Sequence, residues 1–498
     1  MPLPTSAGTP QRAAAIDAVR AAVPHITISD DAGLVGRRST DRSALLGPHM
    51  AAQTSDSLAE AVAMPADEGQ VVELLAACAR HRVPVVPRGA GTSNFGQTIP
   101  LDGGIVVDLS ALTGVIAVGD GSVRALAGTM LDDIDEELAP HGAELRIHPS
   151  SKRMSTIAGF VIGGHGGIGS MRFGGLADVG NVTGLRVVTA EEEPRVLELR
   201  GASTALVQFS FGMNGVVTEV EVATTARREW RDVMFSFDDL GAAMRFGWDM
   251  TVSDGLDLKN CMPMNAALAS HLTPLQEFLP DGRAAALAMV APSALEGAAD
   301  VARRHGGRMT MDVRTGEGPR GFPGYEYTWG HAMWWLRKSQ PSLATVLFLL
   351  PEARPVESLL ELVERTPGDP WVGCTCQRLG GRPSPQVSYG IDGSVPGRLA
   401  EVSAIAEELG CLVVNIHRPK LTSSSIRGFS AEQRAFKADV DPHGILNPGK
   451  LEDPDPDDGP IATGTEADAM TASGWASRFG SSAAPDTSGS SSSSAGLR

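Results

Sequence analysis

Two glycine-rich stretches constrain this chain more than any other feature. The first, PRGAGTSNFG at residues 87–96, follows the apolar run VPVV at 83–86, so a buried strand is predicted to end in a bare turn. Glycine lets the backbone visit positive φ, so successive N–H groups converge into a concave nest that attracts anions. The missing side chains let a phosphate approach closely. A dinucleotide pyrophosphate is a natural guest of such a turn; a plain strand-to-loop connection is the other reading. The second stretch, TIAGFVIGGHGGIGSMRFGGLADVGNV at 156–182, contains a formal G-x-G-x-x-G at Gly164, Gly166 and Gly169, with Glu191 to Glu193 about twenty positions on. A Rossmann turn needs a long helix directly after its glycines, whereas here two more glycines precede the next strand. What remains is an extended glycine-rich segment suited to lie against a flat ligand.

Length and charge narrow the partners. At 498 residues and 42% hydrophobic content, the chain can bury two or three cores. A formal charge of −17 with no cluster of Lys and Arg argues against nucleic acid and anionic membranes. The five cysteines are scattered without disulfide-framework spacing, which suits a reducing compartment. The N-terminus lacks a basic segment followed by an apolar one, and no run approaches eighteen apolar residues, so a cytoplasmic location is expected.

Helical spacing is predicted at 10–23 and 66–82, then short β-rich runs from 103 to about 223, together one α/β or α+β domain. A second α+β domain is expected between about 230 and 425. Beyond VDPHGILNPGKLED the composition collapses into Asp, Gly, Ala, Thr and Ser, so 453–498 is expected to be a disordered tail.

VPVVPRGAGTS, GGIVVDLS, HPSS, the 156–182 stretch, FSFGMNGVVTEVEVA and FKADVDPHGILNPGKL, in that order, resemble the FAD-binding oxidoreductases of the vanillyl-alcohol oxidase and para-cresol methylhydroxylase (PCMH) superfamily. The glycolate oxidase subunit and D-lactate dehydrogenase branch is the most similar. The resemblance spans about 30–452. It implies an α+β fold: a two-subdomain PCMH-type FAD-binding domain over 1–230, an α+β substrate (cap) domain over 231–425 and a C-terminal return to the FAD domain over 426–452. By that resemblance Pro87, Arg88, Gly89, Ala90, Gly91, Thr92 and Ser93 cradle the pyrophosphate. Ser150, Gly159, Gly163, His165, Gly166, Gly167, Ser170 and Gly174 line the flavin and ribityl chain, Val217 faces the adenine side, and Asn447 marks the return segment. Thr92 stands where covalently flavinylated relatives carry histidine, so non-covalent FAD is expected. The histidine set of metal-dependent relatives is missing, and no catalytic metal is expected. Ile157-Ala158-Gly159-Phe160 departs from the usual T-I-G-G-N.

The reacting groups are expected in the cap. His331, beside Trp329, Trp334 and Trp335, is the leading general base, because an imidazole with an unperturbed pKa near 6.5 can accept a proton at neutral pH. A packed core histidine is the competing reading. Tyr325 and Tyr327 are alternates, which strand alternation would put on one face with Trp329. His417, in GCLVVNIHRPKL, is a second candidate base, and Arg378 or Arg172 could grip a carboxylate through a bidentate fork. Cys374 and Cys376 would share a strand face and are read as packing residues. Three functions fit: FAD-dependent oxidation of an alcohol C–H, a 2-hydroxy acid or similar small polar alcohol; oxidation or cyclisation of an elaborated metabolite; or a non-catalytic FAD-binding electron-transfer subunit. The substrate is a small molecule in the first two. The electron acceptor (oxygen, quinone or protein) is open, and a homodimer is possible.

Overall fold

The computed structural model describes residues 10–43, 48–280, 282–414, 416–417, 419–421 and 429–452. The expected tail at 453–498 lies outside them.

A four-stranded sheet, in the order Thr27–Ser29, Ala61–Met64, Ile105–Asp108 and Val85–Arg88, starts the fold. Its last three strands are parallel, and each is almost wholly buried, as parallel strands covered by helices are. The crossover helix Glu68–His81 is capped by Asp67, whose carboxylate accepts from the Gln70 N–H, and it buries Val71, Leu74 and Leu75 against the sheet. The strand before the glycine turn runs two residues further than expected, to Arg88, because parallel pairing continues to Arg88 opposite Asp108. It is the outer member of this sheet, where the N–H that Pro87 lacks leaves no gap in the ladder.

The second sheet is antiparallel, built from Val115–Gly119, Ser122–Leu126, Val216–Ala226, Val182–Val188 and Val196–Arg200, with Ala143–Leu145 also paired to the long central strand. Helix Ile157–Gly163 packs on it through Ile157, Phe160 and Val161. This helix corrects the expectation of an extended segment. Thr156 caps it, its hydroxyl accepting from the Gly159 N–H at 3.3 Å, and IAGFVI brings enough apolar surface to fold onto the sheet. The helix after Gly169 is only Ser170–Phe173, too short for a Rossmann crossover.

The third sheet has eight antiparallel strands, ordered Arg308–Arg314, Arg231–Phe237, Ala284–Val290, Leu258–Met264, Trp371–Thr375, Gln386–Asp392, Leu343–Leu349 and Leu412–Val414. Alternation decides its faces. Ala344, Val346, Phe348, Val387 and Tyr389 meet helices Leu240–Val252, Pro355–Arg365 and Arg398–Glu408, while Met262 and Met264 meet helix Trp329–Arg337 on the other side. Cys374 and Cys376 are buried on the helix-covered face, and all five cysteines are unpaired.

The chain then returns to the first sheet. The Val85 N–H donates to the Ile445 carbonyl and the Asn447 N–H donates to Val85 O, at 2.8 and 2.7 Å. No helix among the described residues is long and apolar enough to cross a membrane.

Candidate FAD and substrate site

One large cleft lies between the three sheets, with about 1610 Å³ of empty space including the part open to solvent at its mouth. Its floor is the glycine turn. Gly91 sits at φ +70, and a Cβ there would lie 1.9 Å from Arg88 Nη2; a Cβ on Gly89 would lie 2.2 Å from Thr156 Oγ1. Arg88 is 5% exposed and donates to Thr40 O (2.6 Å) and Thr98 Oγ1 (3.1 Å), so it supports the turn from inside. Beside it, Thr92 Oγ1 and Ser155 Oγ are 2.8 Å apart, and Ser155 continues to Ser151 at 2.8 Å. Ser93 Oγ donates to Asp41 at 2.8 Å. The turn is therefore bare, rigid and rimmed by hydroxyls, which suits a phosphate-bearing guest.

The wall opposite comes from the eight-stranded sheet and helix Trp329–Arg337: Trp329, His331, Trp334, Thr345, Gln386 and Ser388 all line the cleft. Sequence reasoning missed Thr345, Gln386 and Ser388. They are the strand positions alternate to the helix-packed ones, and nothing in the sequence says which face of a strand meets a ligand. His165 Nε2 and Gln386 Oε1 lie 2.8 Å apart and tie the glycine-rich segment to this wall. His331 is 7% exposed, its ring sits 4.3 Å from that of Trp334, and its Nε2 has no hydrogen-bond partner. Burial above all, then the nearby Arg153 and Lys338, pushes its pKa down to about 4. At neutral pH this imidazole is uncharged, a correction to the expectation of a group titrating near 6.5.

Of the other residues singled out in the sequence, Pro87 to Ser93, Ser150, Gly159, Gly163, Gly166 and Val217 line the cleft. Gly167, Ser170 and Gly174 do not. A Cβ on Gly167 would lie 2.2 Å from His148 O, so that glycine serves close strand packing, and Ser170 Oγ accepts from the Gly167 N–H at 3.0 Å. Gly174 has φ +82 beside Asp178. Asn447 also stands behind the lining, its amide donating to Gln97 O and Phe211 O at 2.8 and 2.6 Å.

Five candidates for the reacting or substrate-gripping groups are displaced. Tyr325 and Tyr327 lie on a 3₁₀ turn, Gly324–Tyr327, and not on a strand, so the expected shared face with Trp329 does not exist. Tyr325 packs edge-on against His148 at 4.9 Å, and Tyr327 is fully buried among Met264, Met333 and Leu336 with its hydroxyl donating to Pro319 O. Arg378 donates to Thr251 O (3.1 and 2.6 Å) and to Asp254, outside the cleft lining. Arg172 pairs with Asp257. His417 lies behind the wall, 2.8 Å from the Thr345 carbonyl through Nε2.

Helix Trp329–Arg337 is held in place at its first residue. Trp329 has φ +54, a conformation costing about 1–3 kcal/mol for a bulky side chain. Its indole N–H donates to Asn260 Oδ1 at 3.1 Å, the Asn260 amide donates to Thr328 Oγ1 at 3.2 Å, and its backbone N–H points at Met262 Sδ. Replacing Asn260 by Leu leaves the buried Trp329 indole N–H without an acceptor, while Thr328 keeps its bond to Tyr325 O. We expect a loss of about 2 kcal/mol, read as a lower urea midpoint.

A bare glycine turn and a wall of the large sheet thus face one cleft. Residues 59–198 match the family described as "FAD binding domain". The glycolate oxidase subunit GlcD of Bacillus subtilis is 29% identical over 208 residues, 40% of this chain and 43% of that protein. The chain thus spans under half the length of that relative. Among solved structures, alkyldihydroxyacetonephosphate synthase superposes with a TM-score of 0.65 at 14% identity, covering 90% of this chain and 86% of that one. The 4-ethylphenol oxidase of Gulosibacter chungangensis does so with 0.62 at 16% identity, covering 90% and 98%. Residues 59–198 are thus an FAD binding domain, with FAD as its cofactor, and the fold over 90% of the chain is that of these two solved structures. The cleft fits that group: the turn is bare at Gly89 and Gly91 and is rimmed by the Thr92, Ser155 and Ser151 hydroxyls, as a bound pyrophosphate requires.

Proposed function

We propose that this protein is an FAD-dependent oxidoreductase that removes hydride from the C–H of a small alcohol, with 2-hydroxy acids as the first substrates to test. One observation carries the reading: His331, with an uncharged Nε2 that has no protein partner, lines the same cleft as the glycine turn. Bound FAD supplies the hydride acceptor. His331 Nε2 takes the hydroxyl proton as the alcohol becomes a carbonyl, and it needs no prior deprotonation because burial keeps it neutral. Trp329, Met333 and Trp334 cover this part of the cleft and limit water beside the reacting carbon. The glycolate oxidase relative supports the substrate class. Because that relative is named a subunit, transfer of electrons to a partner protein is the second reading. Anaerobic mixing with a panel of 2-hydroxy acids tests the first: bleaching of the flavin supports it, and a flavin that stays yellow with every member points to the electron-transfer role. Free, unpaired cysteines support work in a reducing compartment.

FAD is held without a covalent link in this reading. Thr92, which meets Ser155 at the edge of the turn, offers a hydroxyl and no ring nitrogen. Acid precipitation should release all the yellow colour into the supernatant as intact FAD; colour in the washed pellet would refute this.

A further inference from the structure

Nine glycines line the cleft, and at eight of them a Cβ would lie 3.3 Å or less from a neighbouring atom, closer than side chains ordinarily pack. Gly330 is the ninth. A Cβ there would meet Asn94 Nδ2 at an ordinary 3.5 Å and, beyond its own stretch of helix, no other atom within 4 Å. Backbone conformation gives no reason for glycine either, because Gly330 lies inside helix Trp329–Arg337 and outside the positive-φ region, where alanine would favour the helix more. Neither packing nor backbone requires a bare residue. The missing side chain instead leaves an open notch in the cleft wall. Residues 330 and 334 are four apart on one face of the helix, and Gly330, Trp334 and Asn94 are all partly exposed and line the cleft. The notch is therefore bounded by the helix, by the Trp334 ring one turn on, and by Asn94 just past the glycine turn. It also lies close to the reacting group: Gly330 is joined to His331, whose ring sits 4.3 Å from that of Trp334.

We propose that Gly330 is a specificity-determining residue, and that the notch between it, Trp334 and Asn94 receives an apolar substituent larger than methyl on the alcohol whose proton His331 takes. The ligand class is the alcohols that carry a hydrocarbon chain beside the reacting carbon. Glycine is kept here at a cost to the helix because any side chain would stand where that substituent goes. The inference rests on the alcohol-oxidation reading above.

The test uses the full-length, FAD-loaded protein, its Gly330→Ala and Gly330→Leu variants, and 2-hydroxy acids of rising chain length: glycolate, lactate, 2-hydroxybutyrate and 2-hydroxyhexanoate. Anaerobic stopped flow gives the second-order rate of flavin reduction for each. The ratio of the 2-hydroxyhexanoate rate to the glycolate rate should fall about 100-fold from wild type to Gly330→Leu, with Gly330→Ala between them. Gly330→Ala should keep its FAD and unfold at a urea midpoint no lower than that of wild type. An unchanged ratio overturns the inference, as does a wild-type rate for 2-hydroxyhexanoate below about a hundredth of that for glycolate. Loss of FAD from Gly330→Ala overturns it too, because the notch would then belong to the cofactor. If no 2-hydroxy acid bleaches the wild-type flavin, the alcohol-oxidation reading falls and binding alone decides the notch, read as the shift in flavin absorbance with acetate and hexanoate. Hexanoate binding that is lost in Gly330→Leu supports the notch; equal binding to both proteins, or to neither, overturns it.

Discussion

Gly91→Val should purify with almost no FAD. At φ +70 a β-branched residue is strained before any contact is counted, by about 1–2 kcal/mol even for an unbranched one. The new side chain would also drive into the Arg88 guanidinium, which cannot swing aside without giving up Thr40 O and Thr98. Both effects fall on the turn that lines the cleft, so occupancy of the cofactor should drop to about a tenth or less of wild type. Far-ultraviolet circular dichroism should remain close to that of wild-type apoprotein, because Val85–Arg88 and its neighbours are paired independently of residue 91. The ratio of flavin to protein absorbance is the measurement. Gly91→Ala should be intermediate, and full yellow occupancy in the valine variant would remove the turn from the cofactor site.

His331→Gln should keep its FAD and its fold while the anaerobic reduction rate with a competent substrate falls on the order of 10²–10⁴-fold, the usual range for a lost general base. Glutamine fills similar space and its amide can meet the substrate hydroxyl, yet it cannot carry the proton away. The pH dependence follows from the depressed pKa. Wild-type kcat/KM should rise as pH passes through about 4 and stay flat through neutrality, since the imidazole is already neutral there. Stability has the same sign. The unfolded imidazole binds a proton near pH 6.5 and the folded one only near 4, so the unfolded state carries more protons between those values. Stability is thus fully present above about 6.5 and is lost as pH falls toward 4. In His331→Gln that loss should be shallower in urea titrations across the same window. A wild-type reduction rate in the variant would move the base elsewhere.

The glycine turn was legible as a turn because its geometry is local: Gly91 takes the positive φ that a bare turn after a strand calls for. His331 was visible as an imidazole among indoles, but its burial, and hence its neutrality at pH 7, was not. The aromatic stretch misled for a definite reason. YEYTW alternates as a strand does, yet a proline and a glycine before it and the Trp329 turn at φ +54 break the extended backbone, sending Tyr327 into the methionine core. Arg378 failed because a guanidinium takes the nearest carbonyl and carboxylate, Thr251 and Asp254, and sequence spacing says nothing about which those are. Thr345, Gln386 and Ser388 were illegible for the opposite reason: their roles depend on the strands of the third sheet meeting the glycine segment across a cleft that no single strand encodes.

The C-terminal return has a consequence for biosynthesis. Asn447 donates to the carbonyl of Gln97 across 350 residues of sequence, and Lys450 Nζ reaches Gly96 O, so the segment just beyond the glycine turn is braced by some of the last residues of the described chain. A ribosome that has made the whole FAD-binding family segment has therefore not yet made a finished binding site. Nascent chains stalled before residue 447 should be colourless, and the flavin should enter only after translation has passed the return.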